Sequence, residues 1–191
     1  MDHFESIVHT ILEFEGYWVR SSYKVELTKT EKASTGKHSI PRPEIDLLAF
    51  HAKKNELLVL EVKSYLDSPG VKLADIEKTH NIAQGRYKLF TSLRYRSIVI
   101  SRLKEQLIEA GAIKTNTKII LGLVAGKVYG GNSASLKNHM DKINCRFYSP
   151  ETIKDMVQGL AKRGYENNAA SITAKILLNG RKSGATCVAA K

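Results

Sequence analysis

Apolar and polar positions along the chain change period several times, and each change marks an element. Phe4, Ile7, Val8, Ile11 and Leu12 recur at helical spacing, which predicts an amphipathic helix over residues 2–15 ending at Gly16. Tyr17–Leu27 alternates weakly and is rich in aromatic and β-branched residues, predicting a first strand. Two apolar runs, Ile45–Phe50 and Leu57–Val62, flank the polar stretch His51–Glu56 and predict a β-hairpin. Asp67-Ser68-Pro69-Gly70 reads as a turn. Leu73, Ile76, Ile82, Ala83 and Leu89 predict a helix over about 73–90, and a second covers Ser97–Ala110 and stops at Gly111. Lys118–Ala125 is a continuous apolar run and predicts a buried central strand. Ser133 caps a short helix through Asp141, and Asn144–Tyr148 is a strand. Ser149-Pro150 opens a helix that ends at Gly164, and a last helix spans Ala169–Leu178.

Two segments lack periodicity. Residues 28–43 are polar, with Gly36, Pro41 and Pro43, and form a loop that is either functional or a plain surface loop; Lys29, Lys32, Lys37 and His38 are its candidates for substrate contact. The tail from Arg181, with Lys182 and small residues, is expected to be loose. The order of elements is that of an α/β chain, read here as one domain over residues 1–180 with a basic tail at 181–191. A length of 191 residues suffices for a full core.

The hairpin carries residues that an ordinary strand avoids. Asp46 interrupts its first apolar run, and Glu61 and Lys63 interrupt the second. Alternation places Glu61 and Lys63 on one face and Leu60 and Val62 on the other. If His51 pairs with Glu56, Asp46 falls opposite Glu61 and Glu44 opposite Lys63. Cross-strand neighbours lie about 4.5–5.5 Å apart at Cβ, close enough for two carboxylates to hold one cation, and like charges this close repel without one. Mg²⁺, with Mn²⁺ as a substitute, suits such a set of hard oxygens. The alternative is a hairpin whose charges face solvent.

Composition narrows the partners. A net charge of +11 and a pI near 9.6 point to a polyanion. From Lys78 to Lys104 there are seven basic residues, Arg86, Lys88, Arg94 and Arg96 among them, and no Asp or Glu. Tyr87, Phe90 and Tyr95 are interleaved, so the stretch reads as a phosphate-binding surface. No apolar run is long enough to span a membrane. The first helix carries Asp2, Glu5, Glu13 and Glu15 without Lys or Arg, unlike a signal peptide, and Cys145 and Cys187 make no disulfide framework or zinc site. A cytoplasmic location, nucleoid-associated in a prokaryote, is expected. The GLVAGK stretch at 122–127 is not a P-loop, being one residue short and followed by Val128 rather than Ser or Thr.

Asp46, then fourteen residues, then Glu61-Val62-Lys63 resembles the active-site signature of the PD-(D/E)XK nuclease superfamily, with Pro43 three residues before Asp46 rather than beside it. The resemblance implies a restriction-endonuclease-like αβββαβ core, a mixed central sheet flanked by helices, here with extra C-terminal helices. The opening helix, with Phe4-Glu5, Leu12, Gly16-Tyr17 and Val19, is similar to that of archaeal Holliday-junction resolvases and Mrr-type restriction enzymes, in which a helix-borne Glu joins the site. That makes Glu5 the candidate here, with a surface helix Glu as the other reading. RecB-like members carry Q-x-x-x-Y on the helix after the Lys; Gln84 and Tyr87 stand at Q-x-x-Y and would share a helix face. Gln84 then either orients a phosphate or is a surface residue.

The resemblance implies a Mg²⁺-dependent deoxyribonuclease. Asp46, Glu61 and the Val62 carbonyl would hold metal, with Glu44 and Glu5 completing a second position, and Lys63 would position or deprotonate water. Gln84, Arg86, Tyr87, Lys88, Arg94 and Arg96 would contact DNA, with RNA as an alternative. A homodimer is compatible with cutting both strands, although no heptad marks one. Two competing classes stay open: a catalytically silent nucleic-acid-binding module with the same fold, and a basic interaction protein.

Overall fold

In the computed structural model, which describes residues 2–36 and 41–179, the apolar runs form one five-stranded mixed sheet. Its strands, in spatial order, are β1 (Trp18–Lys24), β2 (Glu44–His51), β3 (Glu56–Lys63), β4 (Lys118–Ala125) and β5 (Arg146–Tyr148). β1–β2 and β2–β3 are antiparallel, while β3–β4 and β4–β5 are parallel. Connection length decides this. A single 3₁₀ turn, Ala52–Lys54, with Asn55 at φ 48°, closes the hairpin, whereas the β3–β4 crossover is long and helical. The helices are α1 (His3–Phe14), α2 (Lys29–Ser34), α3 (Leu73–Ile76), α4 (Lys88–Thr91), α5 (Leu93–Glu109), α6 (Ser133–Lys142), α7 (Pro150–Ala161) and α8 (Ala169–Asn179).

The sheet is covered on both faces. Tyr95, Val99, Leu103 and Leu107 recur every four residues along α5 and pack on Leu57, Val59, Leu121 and Leu123. On the other face Val8 and Leu12 of α1 and Ile153 of α7 meet Leu58, Leu60, Val62 and Val124. Both faces of β4 are therefore buried, as its continuous apolar run requires. α1 is closed at each end by its own chemistry. Asp2 and Glu5 form a reciprocal capping box. At the other end Gly16, at φ 88°, lets Tyr17 N–H reach the Leu12 carbonyl and its own N–H reach Glu13. Among the described residues no helix is long and apolar enough to cross a membrane.

Four expectations need correction. Asn132 rather than Ser133 caps α6. The helix over 73–90 does not form; α3 and α4 are single turns, and 77–87 is irregular. Glu77-Lys78-Thr79-His80-Asn81 offers no apolar anchor, Gly85 takes φ 74°, and His80 N–H folds back onto the Thr91 carbonyl instead. α5 begins at Leu93, four residues earlier than expected, because the Ser92 hydroxyl caps it by accepting from Tyr95 N–H. The polar loop contains α2, capped by Thr28 and Glu31. Glu31 also grips Arg102 of α5 at 2.8 Å, anchoring this segment beside the sheet. Lys37, His38 and the tail from Arg181 lie outside the described residues.

A distortion in the sheet sets the position of Asp46. The β1–β2 pairing skips Ser22 and Asp46 between Ser21↔Leu47 and Tyr23↔Ile45, and Ser22 has φ 52°. Faces swap there. Leu47 and Ala49 pack on the α1 side, yet Ile45, two residues on, packs on the α5 side. β1 does the same, with Val19 on the α1 side and Tyr23 and Val25 on the other. A coordinated kink thus puts Asp46 at the point where β2 turns over.

Candidate active site

The hairpin register is the expected one, His51↔Glu56 through Leu47↔Leu60, but the ladder stops there. Asp46 and Glu61 do not form a ladder pair, and Glu44 pairs with Lys24 of β1 rather than with Lys63. The kink is the reason. The Lys63 carbonyl accepts from Gly126 N–H on the β4 side. N–H and C=O groups alternate edges along a strand, so those of Val62 point toward β2. Instead of a β2 carbonyl, the Asp46 carboxylate takes the Val62 N–H through Oδ2 at 2.7 Å. Its side chain has replaced a rung of the ladder and lies between the strands.

This brings the three motif residues together. Lys63 Nζ lies 2.6 Å from Glu61 Oε1 and 3.5 Å from Asp46 Oδ2, and the side chains of Lys63, Asp46 and Glu61 are only 18%, 19% and 15% exposed. Burial pushes the Glu61 carboxyl above its ordinary value; Lys63 pulls it down, but Asp46 adds to the rise. Burial pulls the Lys63 ammonium down, but the two carboxylates together outweigh it and hold its pKa above the usual lysine range. The pair behaves as a buried cation shared by two acids. Glu61 also adds to the effect of burial on Tyr95, whose hydroxyl is pushed up to about 12.

Glu5 approaches from the α1 side. Burial, then the charge of Asp46, then that of Asp2 raise its pKa, while Asp2 N–H donates to its Oε2 at 3.2 Å. Glu5 therefore caps α1 and feels Asp46 at once. The residues fit a divalent ion as far as chemistry goes: two carboxylates, hard oxygen donors, already flank a cation in the form of Lys63, and the Val62 carbonyl is a further hard oxygen beside them in sequence. Among the described residues no three His, Cys, Asp or Glu side chains converge tightly enough to hold a metal by themselves.

Glu61 and Lys63 form part of the lining of a cleft of about 590 Å³, together with Glu44, Arg42, Tyr65, Arg86, Lys88 and Tyr95. The acids thus sit under a basic wall, and the Lys88 charge acts on Glu61. Of the six expected nucleic-acid contacts, the structure brings Arg86 and Lys88 here. Gln84 lies in an adjoining depression that Arg86 and Tyr87 also line, with its amide 2.9 Å from His80 Nδ1, although no helix face joins it to Tyr87. Tyr87 is buried in the core, 6% exposed, and cannot meet a large ligand. Arg96 lines a separate cleft with Cys145 and Ile119 on the β4–β5 side of α5, and Arg94 is exposed on α5 outside the cleft.

Tyr65 and Arg42 belong to the cleft and were not anticipated, while Tyr95, expected as an aromatic of the basic stretch, lines it as well. Tyr65 follows Ser64 directly after the motif, but its left-handed backbone (φ 46°) is a tertiary effect without a sequence signature. Tyr95 carried a signal, its helical spacing with Val99 and Leu103. Arg42, between two prolines, is held by Glu26. The glycine of the P-loop-like stretch has a packing role: a Cβ on Gly126 would lie 2.4 Å from the Ser64 carbonyl oxygen and 3.1 Å from the Phe4 ring. That close approach fixes the chain as it leaves Lys63. Compared with protein families, with curated proteins and with solved structures, the chain matches none.

Proposed function

We propose that the chain is a divalent-metal-dependent endonuclease that hydrolyses phosphodiester bonds in DNA. One observation carries the reading: two carboxylates, Asp46 and Glu61, share one ammonium, Lys63, all three largely buried, and Glu61 and Lys63 open onto a cleft that Arg42, Arg86 and Lys88 also line. A structural ion pair needs one acid per base, and a surplus buried carboxylate is costly unless a cation serves it. The element order α1–β1–β2–β3–α5–β4, with β3 and β4 parallel, agrees with the core that the resemblance to PD-(D/E)XK nucleases implies.

Mg²⁺ or Mn²⁺ bound by Asp46, Glu61 and the Val62 carbonyl would supply Lewis acidity to water and phosphate. The chain's own residues do the rest. Lys63, the cation that the two carboxylates hold in place, would act as a hydrogen-bond donor and counter-charge to phosphate oxygens. Asp46 is locked by the Val62 N–H, which leaves one oxygen, Oδ1, that takes no hydrogen bond among the described residues. Arg86 and Lys88 oppose the charge of an entering backbone. Glu5 and Glu44 stand on the flanks of the site, Glu5 beside Asp46 and Glu44 in the cleft wall.

The test is cleavage of supercoiled plasmid with Mg²⁺ or Mn²⁺, against EDTA and against Lys63→Ala. Metal-dependent nicking lost in the variant is the expected result. A second reading, a catalytically silent nucleic-acid-binding module, is favoured by Lys63, whose ammonium already serves both carboxylates. Tight, salt-sensitive DNA binding by both proteins without any nicking would establish it instead.

A further inference from the structure

Of the two arginines in the cleft, one is neutralised and one is not. Arg42 is paired with Glu26, whereas Arg86, among the described residues, has no carboxylate partner and hydrogen-bonds only to the Tyr65 hydroxyl, at 3.2 Å from Nη1. Its guanidinium also lies over the Tyr65 ring, 5.9 Å from the centroid. Tyr65 holds this place at a backbone cost, since a bulky residue at φ 46° is strained. Gly85, at φ 74°, turns the chain so that Arg86 returns to the cleft. A guanidinium has five N–H donors in a rigid fork suited to phosphate, and a neutral phenol uses one of them without cancelling the charge.

We propose that Arg86, positioned by Tyr65, is a phosphate-binding subsite for the nucleotide next to the one that is cleaved. Lys63 takes the scissile phosphate beside Glu61 in the cleft, and Arg86 takes its neighbour along the strand. Tyr65 is a positioning residue: it aims the fork and does not touch the reacting atoms. The assignment of the neighbouring phosphate rests on the nuclease reading. The phosphodiester chemistry of the Arg86 subsite does not.

The experiment measures binding of a fluorescein-labelled 20-base-pair duplex in EDTA across a salt series. Wild type is compared with Arg86→Ala, Arg86→Lys, Tyr65→Phe and Lys53→Ala, the last removing a charge at the hairpin turn, away from the cleft. Arg86→Ala should flatten the dependence of log K on log salt by about 0.9, the value of one phosphate contact. Arg86→Lys should keep that slope. Tyr65→Phe, which keeps the ring and gives up the hydroxyl's hydrogen bonds to Arg86 and Tyr87, should keep the slope and weaken binding about fivefold, the worth of the bond made to Arg86. Lys53→Ala should leave the slope unchanged. In plasmid cleavage, Tyr65→Phe should raise KM and leave kcat within about twofold. An unchanged slope in Arg86→Ala, an equal change in Lys53→Ala, or no duplex binding by wild type would overturn the subsite. Absence of cleavage by wild type in Mg²⁺ and Mn²⁺ would remove the nuclease reading, while the slopes still decide on Arg86.

Discussion

β3 carries two glutamates five residues apart, and the protein treats them in opposite ways. Glu56 sits at the closed end of the hairpin, where the ladder is intact. The Tyr17 hydroxyl donates to it at 2.8 Å and Arg146 lies 3.5 Å away. Burial raises its pKa, but Tyr17, Arg146 and Lys54 together outweigh burial and hold it below the ordinary value. Glu61 sits at the open end, where the ladder has failed, and burial together with Asp46 wins over Lys63. One carboxylate has more partners than it needs, and the other shares its single cation with a competitor. The closed end is built for stability; the open end has an unmet demand for positive charge.

The sharpest way to break this comparison is to remove Asp46, which creates the demand. Asp46→Ala should reduce plasmid nicking by at least about 10²-fold, since a ligand and an electrostatic partner go together. It should also destabilise the fold by about 1–3 kcal/mol in urea unfolding, because the Val62 N–H loses its acceptor. Asp46→Asn separates the two effects: it restores most of the stability and none of the cleavage. Wild-type nicking in Asp46→Ala would take Asp46 out of the site.

Metal addition probes the same contrast without mutation. A divalent ion at about a hundred times its Kd stabilises by about 2.7 kcal/mol, some 5–10 °C in Tm for a chain of this size. The shift should vanish in Glu61→Gln and survive in Glu56→Gln. Equal shifts in both variants would place the ion elsewhere.

The two glutamates should also answer one substitution with opposite signs. Glu56→Gln breaks a paired carboxylate and should cost about 1–3 kcal/mol at pH 7. Glu61→Gln neutralises a group whose folded state already resists ionisation, and should raise metal-free stability. The pH dependences differ accordingly. Glu56 has a depressed folded pKa, so its contribution is present above the ordinary glutamate value and is lost as pH falls through the folded one. Glu61 has a raised folded pKa, so its cost is present at neutral pH and is relieved as pH falls through that value. Thermal melts of both variants between pH 4 and 8 measure this, and a Glu61→Gln protein less stable than wild type at pH 7 would contradict it.

How much of this the chain reveals before folding depends on whether a feature is local. The strands, the hairpin register from His51↔Glu56 and the Gly16 stop follow from apolar period and turn residues, which act over a few positions. Asp46, Glu61 and Lys63 were legible because charges inside apolar runs are expensive and need a reason. The helix over 73–90 failed because scattered apolar residues mimic a period when five polar residues intervene. Tyr87 was taken for a ligand contact from the basic residues around it and the Q-x-x-Y spacing from Gln84, whereas folding buried it in the core. Tyr65 and the face swap at Asp46 were invisible, since both arise from backbone conformations imposed by contacts distant in sequence.

The face swap itself gives the most specific effect. Ser22 sits opposite Asp46 at φ 52°, a conformation that costs a non-glycine residue about 1–2 kcal/mol. If that strain keeps β2 turned over at Asp46, glycine should accept the kink more readily than serine, at the expense of a more flexible unfolded chain. Ser22→Gly should therefore gain at most about 1 kcal/mol and leave cleavage untouched. Ser22→Val, β-branched and ill suited to positive φ, should push β1 toward a regular ladder, lose about 1–3 kcal/mol and take cleavage down with it, because Asp46 would be drawn back into pairing and away from Val62 and Lys63. A Val variant as stable and as active as wild type would mean that Asp46 is held by the Val62 N–H alone and that the kink is its consequence.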